Sequence, residues 1–200
     1  MTSNRESDPR DPGVLPADLP RPENDGACDH LIDRPLHSQV LPSTTADRFD
    51  IATRPGRWVV YCFPRAGQPG KPLPENWDSI PGARGCTPQS LAFRDQYEAI
   101  RALHADVVGI STQTHEDQAE IAARLKLPFP LLSDVKLTFA KSLDLPTFDV
   151  DGVTMIKRLT LIVTEGMIDH VIYPVFPPDN AAEQAIVWLL AHPRRPNQTA

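Results

Sequence analysis

Proline placement decides where this chain can be regular. Twenty-two of its 200 residues are proline, about twice the usual ~5% share. A proline lacks the backbone N–H and the free φ that helix interiors and central strands require. Thirteen precede Cys86 and nine follow it. Residues 1–22 hold five of them, with charges and almost no large apolar side chains. Such a segment cannot offset its own ordering entropy, so a disordered tail is expected there. Over residues 23–53 apolar side chains return singly, as Leu31, Ile32, Leu36, Val40 and Phe49, the pattern of a covering arm with little regular structure. The domain proper is expected over residues 54–192, with an inserted loop over 65–85 and a flexible tail over 193–200.

Inside that domain the apolar periodicity is strong. Residues 58–63, Trp-Val-Val-Tyr-Cys-Phe, read as a strand buried on both faces and ended by Pro64. Five prolines with Gly67, Gly70, Gly82 and Gly85 fill the next stretch, and a loop of that length is more often functional than not. A helix is expected over residues 86–103, with Thr87 as its cap and Phe93, Tyr97 and Ile100 on one face. A strand follows over 107–111, then a helix opened by the capping-box string Thr114-His-Glu-Asp117 and running to about Leu125. A short strand over 129–132 leads to a helix starting at Ser133-Asp134. A hairpin turns at Glu165-Gly166, and a last helix begins near Asn180 with Ala182, Ile186 and Leu189 on one face. This order predicts one layered α/β domain, a central mixed sheet flanked by helices.

Composition excludes several classes of function. A net charge of −6, from 20 Lys+Arg against 26 Asp+Glu, gives no reason to expect a nucleic-acid surface. No run approaches ~18 uninterrupted apolar residues, so no membrane partner is expected. Residues 1–13 have no apolar core of the kind a secretory signal carries, and the expected location is cytoplasmic. Cys28, Cys62 and Cys86 are too few for a disulfide scaffold, and none has C-x-x-C spacing. The six histidines show no paired ligand spacing, so neither metal nor cofactor is expected.

The chemistry converges on Gly85-Cys86-Thr87-Pro88. A cysteine in the first turn of a helix faces unpaired backbone N–H groups and the positive end of the dipole, which favour the nucleophilic thiolate. Position alone leaves a buried structural cysteine equally open. The wider strings are more specific: residues 59–66, Val-Val-Tyr-Cys-Phe-Pro-Arg-Ala, and residues 85–95, Gly-Cys-Thr-Pro-Gln-Ser-Leu-Ala-Phe-Arg-Asp. With Gly109-Ile-Ser111, residues 130–134 and Arg158-Leu-Thr-Leu-Ile-Val163, they resemble the peroxiredoxins over roughly residues 40–190. The resemblance is closest to the PrxQ, or bacterioferritin-comigratory-protein, subgroup.

That resemblance implies a thioredoxin-like fold and thiol-dependent reduction of hydrogen peroxide and organic hydroperoxides. Cys86 takes the place of the peroxidatic cysteine. Arg158 takes the place of the arginine that holds the thiolate ionised and stabilises the departing oxygen. Gly85, Thr87, Pro64 and Ser79 are the further substrate-site candidates. The chain also departs from the family pattern Pro-x-x-x-Thr/Ser-x-x-Cys. Ala83 stands where the peroxide-orienting hydroxyl belongs, and with Pro64 as the motif proline about fifteen residues are inserted before Cys86. Ser79 or backbone N–H groups are the expected substitutes. Leu91 occupies the position of the local resolving cysteine. Cys62 then reads as a small buried hydrophobe and Cys28 as incidental in a mobile arm, though either could serve as a resolving thiol. The expected mechanism is one-cysteine, with glutathione, glutaredoxin or thioredoxin as external thiol, in a monomer or homodimer. Two other readings stay open: a thioredoxin-fold sensing or binding protein that oxidises without turnover, and a thiol acyl-transfer enzyme, which would need a histidine base beside Cys86.

Overall fold

In the computed structural model, which describes residues 15–46 and 48–194, the apolar run becomes β1, Arg57–Cys62. A long irregular connection with one short turn at Trp77–Ser79 leads into α1, Cys86–Asp95, and α2, Tyr97–Ala102. The chain continues through β2 (Ala105–Ser111), α3 (His115–Leu125), β3 (Leu131–Ser133) and α4 (Thr138–Leu143). It then forms β4 (Thr147–Val150), β5 (Val153–Ile156), β6 (Leu159–Thr164), β7 (Met167–Ile172) and α5 (Ala181–Ala191). Five strands make a mixed sheet in the order β3-β2-β1-β6-β7, parallel from β1 to β3 and antiparallel from β1 to β7. Strands β4 and β5 form a separate antiparallel pair.

Both faces of the sheet are covered, which is why β1 carries no polar alternation. Val59, Tyr61 and Phe63 point into one core with Phe93 of α1, Ile121 and Leu125 of α3, and Ala185 and Leu189 of α5. Val60 and Cys62 point into the other, with Phe139 and Leu143 of α4 and with Leu31, Leu36, Leu41, Phe49 and Ile51 of the arm. Tyr61 stacks on Phe93 at 4.5 Å between ring centroids. The close fit depends on Gly109, where a Cβ would stand 2.6 Å from the Tyr61 ring and 2.5 Å from Leu131.

Several expectations are corrected. The helix expected over 86–103 breaks at Gln96, whose φ and ψ are −100° and 6°. The chain turns there so that the Tyr97 hydroxyl can donate to Asp106 at 2.9 Å. Thr87 is not its cap: Gly85 holds that position, and no side chain caps the helix. The strand expected over 129–132 begins at Leu131 because Pro130 has no N–H for the ladder. The helix expected from Ser133 begins only at Thr138, although Asp134 still accepts from the N–H groups of Phe139 and Ala140 at 3.2 and 2.9 Å. The β4–β5 hairpin was not anticipated. In contrast Thr114 does cap α3, accepting from the Asp117 N–H at 3.2 Å.

The arm covers one face of the sheet with little regular structure, and its buried apolar residues are part of that core. Isolated pairings of Pro35 with Met167 and Ser43 with Leu132 pin it to the sheet, and one of Leu41 with Phe49 closes it on itself, while Ile32 and Val40 face solvent. Residues 1–14 of the expected tail, and 195–200 at the other end, lie outside the described residues. From Leu15 onward the segment packs on the body, with the Arg21 guanidinium 5.5 Å from the centre of the Phe176 ring.

Candidate active site

The long connection after β1 is tied to α3 and to the turn before it on its way to the cysteine. Gln113 donates to the Ala66 carbonyl at 3.2 Å and accepts from its N–H at 2.7 Å. Arg124 donates to the Gly67 carbonyl at 2.9 Å, and Gln68 to Asp117 at 3.1 Å. Trp77 then buries itself with Ala83 and with Met155 of the unanticipated hairpin. The chain enters α1 through Gly85 in a left-handed conformation, φ +100°. A Cβ there would meet the Pro178 ring at 2.6 Å and Leu15 at 2.8 Å. Glycine is required by protein packing on this turn, since the close approach is made by Pro178 and Leu15.

Cys86 opens the helix and is 2% exposed. Arg158, from the short link between β5 and β6, is buried against it and donates from Nη2 to Sγ at 3.2 Å. The same Nη2 lies 3.2, 3.1 and 3.0 Å from the carbonyls of Gly82, Ala83 and Arg84. Its Nη1 donates to the Gln89 side-chain carbonyl one turn along α1. A permanent cation with fixed donors therefore holds both the cysteine and the end of the insertion. The thiol also lies 3.5 Å from the Ala83 carbonyl. Cys86 also lines a niche of about 10 Å³ with Arg65, Gly67, Leu73, Trp77, Arg84 and Thr87, roughly the room of one water molecule. Leu73, Trp77 and Arg84 also wall a groove of about 640 Å³ on the outer side of the insertion. A second cavity of about 440 Å³ touches Arg158 from another side, between Pro22, Phe148 and Tyr173.

Three buried polar atoms without a hydrogen-bond partner among the described residues belong to this site: Thr87 Oγ1, Gln89 Nε2 and Arg158 Nε. Buried polar atoms of this kind call for a partner such as a water or a ligand.

Of the sequence candidates, Cys86, Arg158, Gly85 and Thr87 come together here. Pro64 is buried next to Arg65, outside the walls of the niche. Ser79 is a correction: it is exposed on the outer groove and does not reach the niche, because the turn at Trp77–Ser79 aims Trp77 inward instead. Leu91 is half-buried against the core beneath α1. Cys62 and Cys28 both belong to the core on the opposite face of the sheet from Cys86. Burial pushes the Cys28 thiol up to about 12, and burial with Asp134 nearby pushes the Cys62 thiol up as well. Cys28 is no part of a mobile arm: it is 4% exposed. Sequence reasoning did not single out Gln89, although its place three residues after Cys86 puts it on the same helical face.

Fold and site together define a thioredoxin-fold peroxidase working through a cysteine. Residues 79–171 match the AhpC/TSA family. The chain is 32% identical to the chloroplastic peroxiredoxin Q of Sedum lineare over 154 residues, 77% of this chain and 80% of the relative. It is 29% identical to that of Populus jackii over 120 residues, 60% of this chain and 56% of that relative. Among solved structures, the peroxidoxin BcpB of Mycobacterium tuberculosis superposes with a TM-score of 0.66 at 26% identity, covering 82% of this chain and 98% of that one. A PrxQ variant of Xylella fastidiosa, at 20% identity and a TM-score of 0.65, covers 80% and 96% and shares the fold. The chain belongs to the peroxiredoxin family, in its peroxiredoxin Q branch, and is a thiol-dependent peroxidase.

Proposed function

We propose that Cys86 is the peroxidatic cysteine, that Arg158 is its electrostatic partner, and that an external thiol completes a one-cysteine cycle. The observation that carries the reading is the 3.2 Å contact of Arg158 Nη2 with Cys86 Sγ. The thiolate attacks the terminal oxygen of hydrogen peroxide or an organic hydroperoxide, an S–O bond forms, and the O–O bond breaks. The electron pair leaves on the departing oxygen, which takes a proton from water, and Cys86 is left as a sulfenic acid. Arginine stays protonated throughout and stabilises negative charge on sulfur and oxygen. The one-cysteine part is supported by Leu91 at the local resolving position and by the sheet that separates Cys86 from Cys28 and Cys62. A thiol of glutathione, glutaredoxin or thioredoxin then attacks the sulfenic sulfur, releasing water and leaving a mixed disulfide, which a second thiol cleaves to restore the Cys86 thiolate. A cytoplasmic location and a monomeric or homodimeric state complete the proposal, tested by cell fractionation and sedimentation.

A second reading, a redox sensor that oxidises once, is favoured by the narrowness of the niche, about 10 Å³. Rapid mixing with hydrogen peroxide, followed by mass spectrometry of Cys86, separates the two. Oxidation is expected to be fast, absent in Cys86→Ser and slowed about 10²–10³-fold in Arg158→Ala. Added glutathione or thioredoxin sustains many turnovers. A single equivalent consumed with every thiol tried would establish the sensor instead.

A further inference from the structure

The niche at Cys86 lacks the family's hydroxyl donor, since position 83 is alanine and Ser79 faces away. Most of Arg158 is engaged, and its Nε is the one nitrogen without a partner among the described residues. Its Nη2 carries two hydrogens and faces four acceptors, the three carbonyls and the sulfur. Its Nη1 is engaged by Gln89. Thr87 follows the cysteine in α1. It walls the same niche, is 3% exposed, and its Oγ1 has no partner among the described residues. As the second residue of α1 it also carries a backbone N–H with no acceptor inside the helix, and Pro88 behind it carries none at all. A buried hydroxyl kept unpaired beside a nucleophile is a cost that folding alone does not explain.

We propose that Thr87 has taken over the work of the missing hydroxyl, so that the donor orienting the hydroperoxide lies one residue after the cysteine rather than three before it. The inference rests on the peroxidase reading of Cys86. As the sulfur attacks the terminal oxygen, the Thr87 O–H donates to the oxygen that leaves, where the O–O electron pair collects. That oxygen takes its proton from solvent, the peroxide is reduced to water or an alcohol, and Cys86 is oxidised to the sulfenic acid. Thr87 keeps its own proton, so it is an orienting donor that touches the reacting atoms. Leu73, Trp77 and Arg84 wall both the niche and the outer groove and stand between them.

The test compares Thr87→Val, which keeps the shape and removes the hydroxyl, with Thr87→Ser, which keeps the hydroxyl. Cys86 oxidation by hydrogen peroxide and tert-butyl hydroperoxide is followed by rapid mixing, with iodoacetamide alkylation as a measure of bare thiol reactivity. Thr87→Val is expected to slow oxidation about ten- to a hundredfold, with alkylation within about twofold and thermal stability equal or higher. Thr87→Ser is expected to stay within about fivefold of the parent. Unchanged oxidation in Thr87→Val overturns the inference and leaves the peroxidase intact. Alkylation falling in step with oxidation, or a lowered melting temperature, makes the hydroxyl structural and overturns it too. A parent protein that oxidises no faster than free cysteine removes the peroxidase reading itself, and this inference with it.

Discussion

The two faces of the sheet treat the same residue type in opposite ways. On one face Cys86 starts a helix, with a guanidinium at 3.2 Å and unpaired polar atoms around it. On the other, Cys62 is wholly buried among Leu161, Ile110 and Phe139, and Cys28 lies in the same core. Exposure does not distinguish them, for Cys86 is 2% exposed and Cys28 4%. The difference lies in what surrounds the sulfur. Arg158 donates to the Cys86 sulfur, whereas burial above all raises the thiols of Cys28 and Cys62. A buried cysteine is therefore judged by its charged neighbours rather than its accessibility.

Thiol trapping gives the largest test of this contrast. In the native protein a mass-tagged alkylating reagent is expected to label Cys86 and spare Cys28 and Cys62. The rates should differ by about three orders of magnitude or more, because the irregular connection before Cys86 is expected to open at lower cost than the apolar core around the other two thiols. Cys62→Ser buries a hydroxyl among apolar groups and should cost about 1–3 kcal/mol of stability, with kcat/KM within about twofold of the parent. Loss of turnover in Cys62→Ser or Cys28→Ser would break the contrast, because a thiol on the far face would then be taking part in the cycle.

A smaller effect compares two glycines of positive φ. Gly85 has φ +100° and no room, since a Cβ would meet Pro178 at 2.6 Å, while Gly152 has φ +75° and open space around it. Gly85→Ala is expected to lose about 2–3 kcal/mol, from strain and displaced neighbours together. A shift of the cysteine by even an ångström should lower kcat/KM about 10²-fold. Gly152→Ala is expected to lose only about 1 kcal/mol, with activity unchanged. Chemical denaturation and steady-state kinetics on the two variants check this. Equal losses in both would mean that the turn before Cys86 is not held by its neighbours.

Local signals were legible where the chain itself settles the structure. The Thr114 cap, the Glu165-Gly166 hairpin turn and the doubly buried β1 follow from short strings. The β4–β5 hairpin had a signal too: Asp151-Gly152 sits between β-formers, and both residues have positive φ, 52° and 75°, as a two-residue hairpin turn requires. That dipeptide was overshadowed by the weak alternation of strands that stay half exposed. The break at Gln96 and the inward turn of Trp77 depend on partners far away in sequence, Asp106 and Met155. The motif placed Cys86 and Arg158 in one site, but which hydroxyl faces the sulfur depends on the path of the insertion. Ser79 and Thr87 look equivalent on the page and differ only in three dimensions.

The arm also makes polar contacts next to the site. Asp25, three residues before Cys28, accepts from Lys157 at 2.8 Å and from the Tyr173 hydroxyl at 2.9 Å, and Lys157 adjoins Arg158 in sequence. These hydrogen bonds, that of Lys157 first, hold the Asp25 carboxyl down at about 2 from its ordinary 3.8. A carboxyl lowered by folding adds stability that is complete above the unfolded value of 3.8 and is lost as pH falls through about 2. The side chain is 45% exposed, so solvent and salt screen the pair and the gain is about 0.5 kcal/mol. Asp25→Asn is therefore expected to lower the melting temperature by about 1–2 °C at pH 7, less at high salt, with the gap closing as pH approaches 2. A gap that persists unchanged at pH 2 would mean that the contact works by shape rather than charge. The arm would then hold Arg158 in place at any protonation state, and the site would not depend on this ion pair.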